Sequence, residues 1–211
     1  YGPDPGLTMP AVVDEDTLPA PQTSYGTHKL MCEYLIADYT RKGFIDGRSA
    51  RLMTVAVRPG KPNGAASSFF SGIIREPLAG VEAVCPVDPS TAHPIASPQS
   101  TVLSLVGLMT APRDVLKRRL AVTLPAVNVT VAQMLDALER VAGPAVRARV
   151  RFEHDARIAG IVANWPRAAK ATTATDVLGF PGDASFDAII QQYIDDMRLA
   201  GQTATALKGL A

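Results

Sequence analysis

A nearly continuous apolar segment, SARLMTVAVRPG at residues 49–60, limits most strongly what this chain can fold into. The segment contains several β-branched residues and is bounded by Gly47 and Pro59. A strand with one face in water alternates apolar and polar residues, whereas a strand buried on both faces of a parallel sheet is apolar almost throughout. The segment therefore predicts a buried strand of a parallel sheet.

An amphipathic helix is predicted immediately before this strand, over residues 25–41. Ser24 is placed to cap its first turn and Gly43 to end it. A helix, a short glycine-containing turn and a buried strand form the second half of a βαβ unit, so the chain predicts an α/β fold. The helical stripe is marked by Leu30, Tyr34, Leu35 and Tyr39.

Further helices and strands alternate along the rest of the chain. We expect helices at residues 69–78, 97–111, 129–143 and 185–200, and strands at residues 118–126 and 150–154. Thr130 is placed near the start of the third of these helices as a cap. The last helix has one apolar side, formed by Phe186, Ile189, Ile190, Tyr193 and Met197.

Charge and composition exclude several classes of function. The 21 basic and 20 acidic residues give a net charge of +1, so nucleic acid and anionic membranes are not expected partners. No apolar stretch approaches the roughly 20 residues that span a bilayer, and the first residues do not resemble a signal peptide, which predicts a cytoplasmic protein. Cys32 and Cys85 have no partners at metal-ligand spacing, and we expect both to be buried small apolar residues.

Tyr25 and Lys29 form the strongest candidate for a catalytic pair. Residues four apart share one face of a helix, so the Lys29 ammonium can stabilise the ionised Tyr25 phenol. A tyrosine in that setting can act as a general base near neutral pH. The spacing alone is a weak signal, because tyrosine and lysine are common on helix surfaces. Its neighbours in the sequence decide its meaning.

Several motifs surround this pair. YGP at residues 1–3 is followed by the acidic loop VVDEDT, by P-x-T-S-Y-G-x-x-K and by a buried strand that ends in V-R-P-G. In this order and at this spacing the motifs resemble the extended short-chain dehydrogenase/reductase family. The later segment RPGKPNGAASSFFSGIIREPLAG, followed by AVCPV, is similar to the subgroup that oxidises D-erythronate. The resemblance covers about residues 1–196.

The resemblance implies a Rossmann-like sheet that binds NAD and a smaller substrate-binding domain. Residues 1–62 and 94–124 would belong to the NAD-binding domain, and residues 63–93 and 125–211 to the substrate-binding domain. In such an enzyme Tyr25 removes the proton of the substrate alcohol while hydride leaves its carbon, and Lys29 binds the nicotinamide ribose. Tyr25, Lys29 and Pro59 are the expected cofactor-binding residues, and a homodimer is the expected assembly.

Two parts that the family uses are not found in this sequence. A glycine-rich phosphate loop and a serine that hydrogen-bonds the reacting oxygen would both precede Tyr1. We therefore expect the chain to be the C-terminal part of a longer enzyme. Without that part we expect the chain to be inactive.

The loop after the buried strand is the predicted substrate site, because open α/β sheets bind ligands at the carboxyl ends of their strands. Asn63, Ser67 and Ser68 are candidates for hydrogen bonds to a polyol. Lys61 or Arg75 is the candidate for contact with a carboxylate. The alternative is a solvated loop in which one of the serines caps the next helix.

The predicted function is the NAD-dependent oxidation of the C2 hydroxyl of a small sugar acid, such as D-erythronate, to the 2-oxo acid. A nucleotide-sugar epimerase or dehydratase of the same fold is one alternative, although the loop region offers only Phe69 and Phe70 as aromatic contacts. A non-catalytic cofactor-binding scaffold is another, although the intact tyrosine–lysine pair favours an enzyme. His93 is interpreted as a histidine in a turn, with a substrate ligand or proton carrier as the alternative.

Overall fold

The computed structural model describes residues 8–61, 64–116 and 120–210, in which helices alternate with mostly parallel strands. The helices are α1 (Ser24–Arg41), α2 (Ser68–Leu78), α3 (Pro98–Thr110), α4 (Arg113–Leu116), α5 (Val131–Ala142), α6 (Pro144–Arg147), α7 (Ala156–Val162), α8 (Phe186–Leu199) and α9 (Thr203–Ala206). The strands are β1 (Ala50–Arg51), β2 (Thr54–Val55), β3 (Ala83–Cys85), β4 (Ala92–Ala96), β5 (Val122–Thr123), β6 (Val127–Thr130) and β7 (Val150–Phe152). A π-helical turn lies at Thr173–Val177 and a 3-10 turn at Lys208–Leu210. The expected α/β class is confirmed. Every helix in these three ranges is too short or too polar to cross a lipid bilayer.

Within the described residues, the strands form three small sheets. β1 pairs with β5 and β3 pairs with β7, both in parallel, while β4 lies between parallel β2 and antiparallel β6. The strand predicted across residues 49–60 is interrupted at residues 52 and 53, so its first part joins β5 and its second part joins β4. Because β2 and β4 are parallel, Val55 and Ala96 end them at one edge, called here the carboxyl edge.

Helix α1 begins and ends close to the predicted residues but buries none of its side chains. The Thr23 hydroxyl accepts a hydrogen bond from the Gly26 amide at 3.1 Å, so Thr23 and not Ser24 is the N-cap. Gly43, with φ of 76°, follows the last turn. The prediction that Cys32 is buried is wrong, because no described element covers the apolar stripe of α1.

The larger hydrophobic core lies between α2, α5 and α8. Helix α5 begins with a capping box, in which the side chains of Thr130 and Gln133 each accept a hydrogen bond from the other residue's amide. Cys85 is buried in this core, as expected. Each fully buried apolar side chain contributes about 1.5–3 kcal/mol, and the largest in this core are Phe70, Ile73, Ile74, Leu78, Ile95, Met134, Leu135, Leu138, Ile189 and Ile190. This packing fixes α2 beside the carboxyl edge.

A smaller core lies beside β5 and is covered by the segment that follows the π-helical turn. Phe180 packs close to α3, where a Cβ atom at Gly107 would lie 2.7 Å from the ring. The Asp183 carboxylate accepts a hydrogen bond from the Ser97 amide at 2.8 Å. The division of the chain into two domains at the expected boundaries stays a prediction. The buried residues of this core are Leu108, Leu116, Val122, Ala171 and Ala174.

His93 is a buried strand residue, and its interpretation as a turn histidine is wrong. Its Nε2 lies 2.7 Å from Thr54 Oγ1 and its Nδ1 lies 3.0 Å from the Pro166 carbonyl. A neutral ring satisfies both contacts by donating to the carbonyl and accepting from the hydroxyl. The ring stacks on Phe70 at 5.1 Å between centroids and lies 5.4 Å from Trp165. Burial lowers the pKa of His93 to about 4.

We expect His93 to make the protein less stable in mild acid. Because the folded-state pKa of about 4 lies below the ordinary 6.5, the unfolded chain takes up a proton first as the pH falls. The His93 contribution to the free energy of unfolding is complete above pH 6.5 and declines by about 3 kcal/mol towards pH 4. Urea unfolding followed by circular dichroism across this range measures the decline. A His93→Gln control, which cannot titrate, should decline by about 3 kcal/mol less, and equal declines would contradict the assignment.

Candidate functional site

Two contacts of α1 show how this helix runs along β1. Glu33 forms a salt bridge with Arg51 on β1, with 2.7 Å between Oε2 and Nη2. Thr40 Oγ1, two turns later, accepts a hydrogen bond from the Gly47 amide before β1 at 3.1 Å. Later helix residues therefore contact earlier strand residues, and α1 is antiparallel to β1. Tyr25 lies about 12 Å before Glu33 on the helix, which corresponds to about four strand residues beyond Arg51 and places it level with the carboxyl edge.

The predicted catalytic pair is accessible at this end of α1. Tyr25 is 74% exposed, and Lys29 is exposed as well. The Lys29 ammonium lies 5.7 Å from the centroid of the Tyr25 ring, within the range of a cation–π contact. The two side chains therefore present a phenol and an ammonium together at this end of the helix.

Gly26, between the two members of the pair, allows the preceding loop to approach the helix. A Cβ atom at this position would lie 2.8 Å from the Cβ of Pro21, a separation that carbon atoms do not adopt without displacement. The first turn of α1 is thus enclosed by Pro21 on one side and by the Thr23 cap at its start. The position of Tyr25 relative to this loop therefore depends on glycine at residue 26, which has no side chain.

The loop that follows β2 is held by α2 through its backbone. The Arg58 amide donates a hydrogen bond to Ser71 Oγ at 3.1 Å, and the Arg58 carbonyl accepts one from Arg75 Nη1 at 2.8 Å. Arg75 also pairs with Glu76 at 2.6 Å, and the two side chains are only 10% and 18% exposed. The guanidinium of Arg75 is therefore engaged in fixing the start of the loop.

The other predicted ligand residues lie along the same loop. Pro59 and Lys61 are exposed. Ser67 immediately precedes α2 and makes no capping hydrogen bond with its side chain, and Ser68 is the first residue of the helix. Asn63 lies outside the described residues. Three predicted residues thus lie between β2 and α2 and the fourth begins α2, and their roles as ligands stay predictions.

Three residues that shape this region are not among the sequence-based candidates: Glu33, Arg51 and Ser71. Glu33 comes eight residues after Tyr25 and so shares its helix face, and Arg51 is a charged residue inside an otherwise apolar segment. Together these two features could have indicated a shielded ion pair. Ser71 gives no comparable signal, because its partner is a backbone amide.

The described residues suit the nicotinamide end of a dinucleotide. Tyr25 and Lys29 offer exposed polar groups for ribose hydroxyls, and exposed Pro59 offers an apolar surface for a ring. A metal site is a different matter. No group of three or more His, Cys, Asp or Glu side chains in the described ranges is placed to hold a metal ion.

The chain is similar in sequence to D-erythronate dehydrogenases. It is 51% identical over 195 residues to the D-erythronate dehydrogenase of Cupriavidus necator, and 45% identical over 190 residues to that of Haemophilus influenzae. These alignments cover 92% and 90% of this chain, but 60% of each relative. The chain therefore spans about three fifths of the length of the curated relatives that it matches.

Solved structures give the same relationship in three dimensions. The crystal structure of a nucleoside-diphosphate-sugar epimerase from Agrobacterium tumefaciens is 41% identical with a TM-score of 0.87, over 92% of this chain and 56% of that one. The chain is therefore similar, in sequence and in fold, to the extended short-chain dehydrogenase/reductase family. L-threonine 3-dehydrogenase from Trypanosoma brucei shares the fold, with a TM-score of 0.79 at 23% identity over 89% of this chain and 57% of that one. No protein-family profile matches the chain.

We expect Arg75 to contribute to stability through the loop that it holds. Arg75→Ala leaves the largely buried Glu76 carboxylate and the Arg58 carbonyl without their partner. Loss of one member of a shielded ion pair should lower the free energy of unfolding by about 2–4 kcal/mol, measured by urea unfolding. Arg157→Ala, at an exposed position of α7, is the control and should change it by less than about 0.5 kcal/mol. An equally small change for Arg75→Ala would leave this arginine available for a ligand.

Proposed function

We propose that this chain acts in a cytoplasmic, NAD-dependent dehydrogenase that oxidises the C2 hydroxyl of D-erythronate, a four-carbon sugar acid, to the 2-oxo acid. The proposal is carried by the exposed Tyr25–Lys29 pair at the carboxyl edge, in a chain 51% identical to a D-erythronate dehydrogenase. Since the chain spans 60% of that relative, the activity of the whole protein is inferred from this pair and from the likeness.

Tyr25 is assigned as the general base. Its ionised phenol takes the proton of the substrate hydroxyl while the C2–H bond breaks. The oxidised nicotinamide, when bound, supplies the acceptor for the hydride. The Lys29 ammonium stabilises the negative phenolate by its charge and, with Tyr25, holds the ribose hydroxyls. Pro59 is assigned to contact with the nicotinamide ring.

Substrate binding is assigned to the loop between β2 and α2. The Lys61 ammonium is exposed there and suits the substrate carboxylate. The Ser67 and Ser68 hydroxyls and the Asn63 amide suit the hydroxyl groups of the sugar acid, because each can donate and accept hydrogen bonds. Arg75 was the other candidate for the carboxylate. Its guanidinium already bonds a backbone carbonyl and a carboxylate, which favours Lys61.

The assignment of the base is tested on the complete gene product with D-erythronate, by the ultraviolet absorbance of the NADH formed. We expect Tyr25→Phe to lower kcat by about 10²–10⁴-fold, the usual contribution of a general base. Binding of NAD, measured by calorimetry, should change little because Lys29 still holds the ribose hydroxyls. Tyr34→Phe, on the same helix and 51% exposed, is the matched control and should keep full activity. An unchanged kcat in Tyr25→Phe would exclude Tyr25 as the base.

A nucleotide-sugar epimerase is the second candidate function. The likeness to the Agrobacterium structure, at 41% identity, favours it. Turnover of nucleoside-diphosphate sugars with none of four-carbon sugar acids would establish this alternative in place of the dehydrogenase. A scaffold function predicts a third result, in which NAD binds, no tested substrate reacts and Tyr25→Phe has no effect.

We also infer that the protein forms a homodimer through the outer face of α1. This face is opposite the one that carries Glu33 and Thr40 towards β1. Its residues recur at intervals of three and four, and contiguous exposed apolar groups commonly mark protein–protein contacts. A second copy that packs its own α1 there would cover the stripe formed by Met31, Tyr34, Leu35 and Tyr39.

The dimer is tested by sedimentation velocity. Leu35→Glu places a charge in the centre of the stripe and should shift the protein from dimer to monomer, since a desolvated unpaired carboxylate costs several kcal/mol. Leu199→Glu is the matched control, because Leu199 is 87% exposed at the end of α8 and should not affect assembly. A wild-type protein that sediments as a monomer at all concentrations would refute the inferred interface.

A further inference from the structure

A shielded ion pair lies on the same face of α1 as the candidate catalytic pair. Tyr25, Lys29 and Glu33 follow one another at intervals of four residues and so share a face. Both carboxylate oxygens of Glu33 accept hydrogen bonds from Arg51, at 3.0 Å from Nε to Oε1 and 2.7 Å from Nη2 to Oε2. The side chains are 17% and 15% exposed, so water screens the pair only weakly.

Directional polar contacts hold α1 against the strand beside it, where its apolar side chains Leu30, Ile36 and Ala37 are only half-buried. Helix α2 buries seven of its residues and α5 buries five, whereas α1 buries none. Thr40 exchanges hydrogen bonds with Gly47 near the C-terminal end of α1. Glu33 holds the middle of the helix. Lys29 and Tyr25 extend beyond this attachment by about 6 and 12 Å along the helix axis.

This arrangement amplifies small movements of the helix. A tilt of about 5° around Glu33 displaces a residue about 12 Å away by about 1 Å. A displacement of that size at a reacting group costs about 10²-fold in rate. Two parallel hydrogen bonds between a guanidinium and a carboxylate fix direction as well as distance, which a sliding apolar contact does not.

We propose that Glu33 and Arg51 are positioning residues, which set the height and angle of the Tyr25–Lys29 face over the carboxyl edge. The proposal rests on the proposed function, because Tyr25 and Lys29 are the groups that are positioned. Desolvating two charges offsets most of their attraction, so a shielded ion pair adds little net stability. What the ion pair supplies is a fixed direction between α1 and β1, which an apolar pair of the same volume would not.

Kinetics on the complete gene product with D-erythronate test the proposal. Glu33→Gln keeps the side-chain length and removes the charge, and it should lower kcat on the order of 10–100-fold while KM stays within a few-fold. The deuterium isotope effect on kcat, with substrate deuterated at C2, should rise because the chemical step becomes slower. A smaller folded fraction lowers the apparent kcat but does not change an isotope effect.

Two further variants serve as a rescue and as a control. The double variant with Glu33→Arg and Arg51→Glu reverses the pair and should recover part of the kcat that either single change loses. Asp38→Asn removes an exposed ion pair with Arg41 on the same helix, 2.6 Å long, and should change neither kcat nor the isotope effect. An unchanged kcat and isotope effect in folded Glu33→Gln would overturn the proposal.

Hydrogen exchange supplies a readout that does not require activity. Amides of residues 24–41 should exchange faster in Glu33→Gln than in wild type or Asp38→Asn, while those of α5 stay unchanged. If the wild-type protein oxidises no sugar acid, the proposed function fails and this exchange result alone decides the positioning role. Unchanged exchange in α1 would then overturn it. If Glu33→Gln does not fold, Arg51→Lys provides the same comparison, since it keeps the charge and loses the two-bonded geometry.

Discussion

The parallel pairing of β2 with β4 is the constraint on which the candidate site depends. It brings the carboxyl ends of both strands to one edge, where β2 continues into the loop with Pro59 and Lys61. The loop is then fixed by Ser71 and Arg75 on α2, a helix seated by the larger core. The apolar packing that seats α2 therefore also fixes the backbone of this loop, through the side chains of Ser71 and Arg75. The contact between His93 and a threonine of β2 reinforces the same strand pairing.

Two helices border this edge, and different forces hold them. Apolar burial holds α2, and this force is strong but has no preferred direction. Directional polar contacts from Glu33 and Thr40, with partial apolar burial, hold α1, and the apolar stripe on its opposite face is exposed. The exposed tyrosine and lysine therefore lie on a helix whose orientation is fixed by directional contacts, although little apolar area is buried beneath it. That combination suits a helix that holds a phenol and an ammonium in one orientation.

The sequence predicts well what depends on neighbours along the chain. The helical periods of α2, α5 and α8 point into one core, and the spacing of Tyr25 and Lys29 places both at one end of α1. It predicts poorly what depends on distant partners. Cys32 is exposed because no described element covers the face of α1 on which it lies, and His93 is buried because β4 lies between β2 and β6. Arg75 resembles a ligand residue in sequence, since its partner, a backbone carbonyl, has no sequence signature.

The ring contacts of His93 give the protein an internal optical reporter at one defined place. Trp165 is the only tryptophan in the sequence, and its ring lies 5.4 Å from that of His93. Tryptophan emission therefore originates where β4 meets the segment before the π-helical turn. A change that passes through the paired strands alters the surroundings of this indole. A movement confined to α1 leaves the Trp165 emission unchanged. Tryptophan fluorescence can therefore distinguish a change in the paired strands from a change in α1.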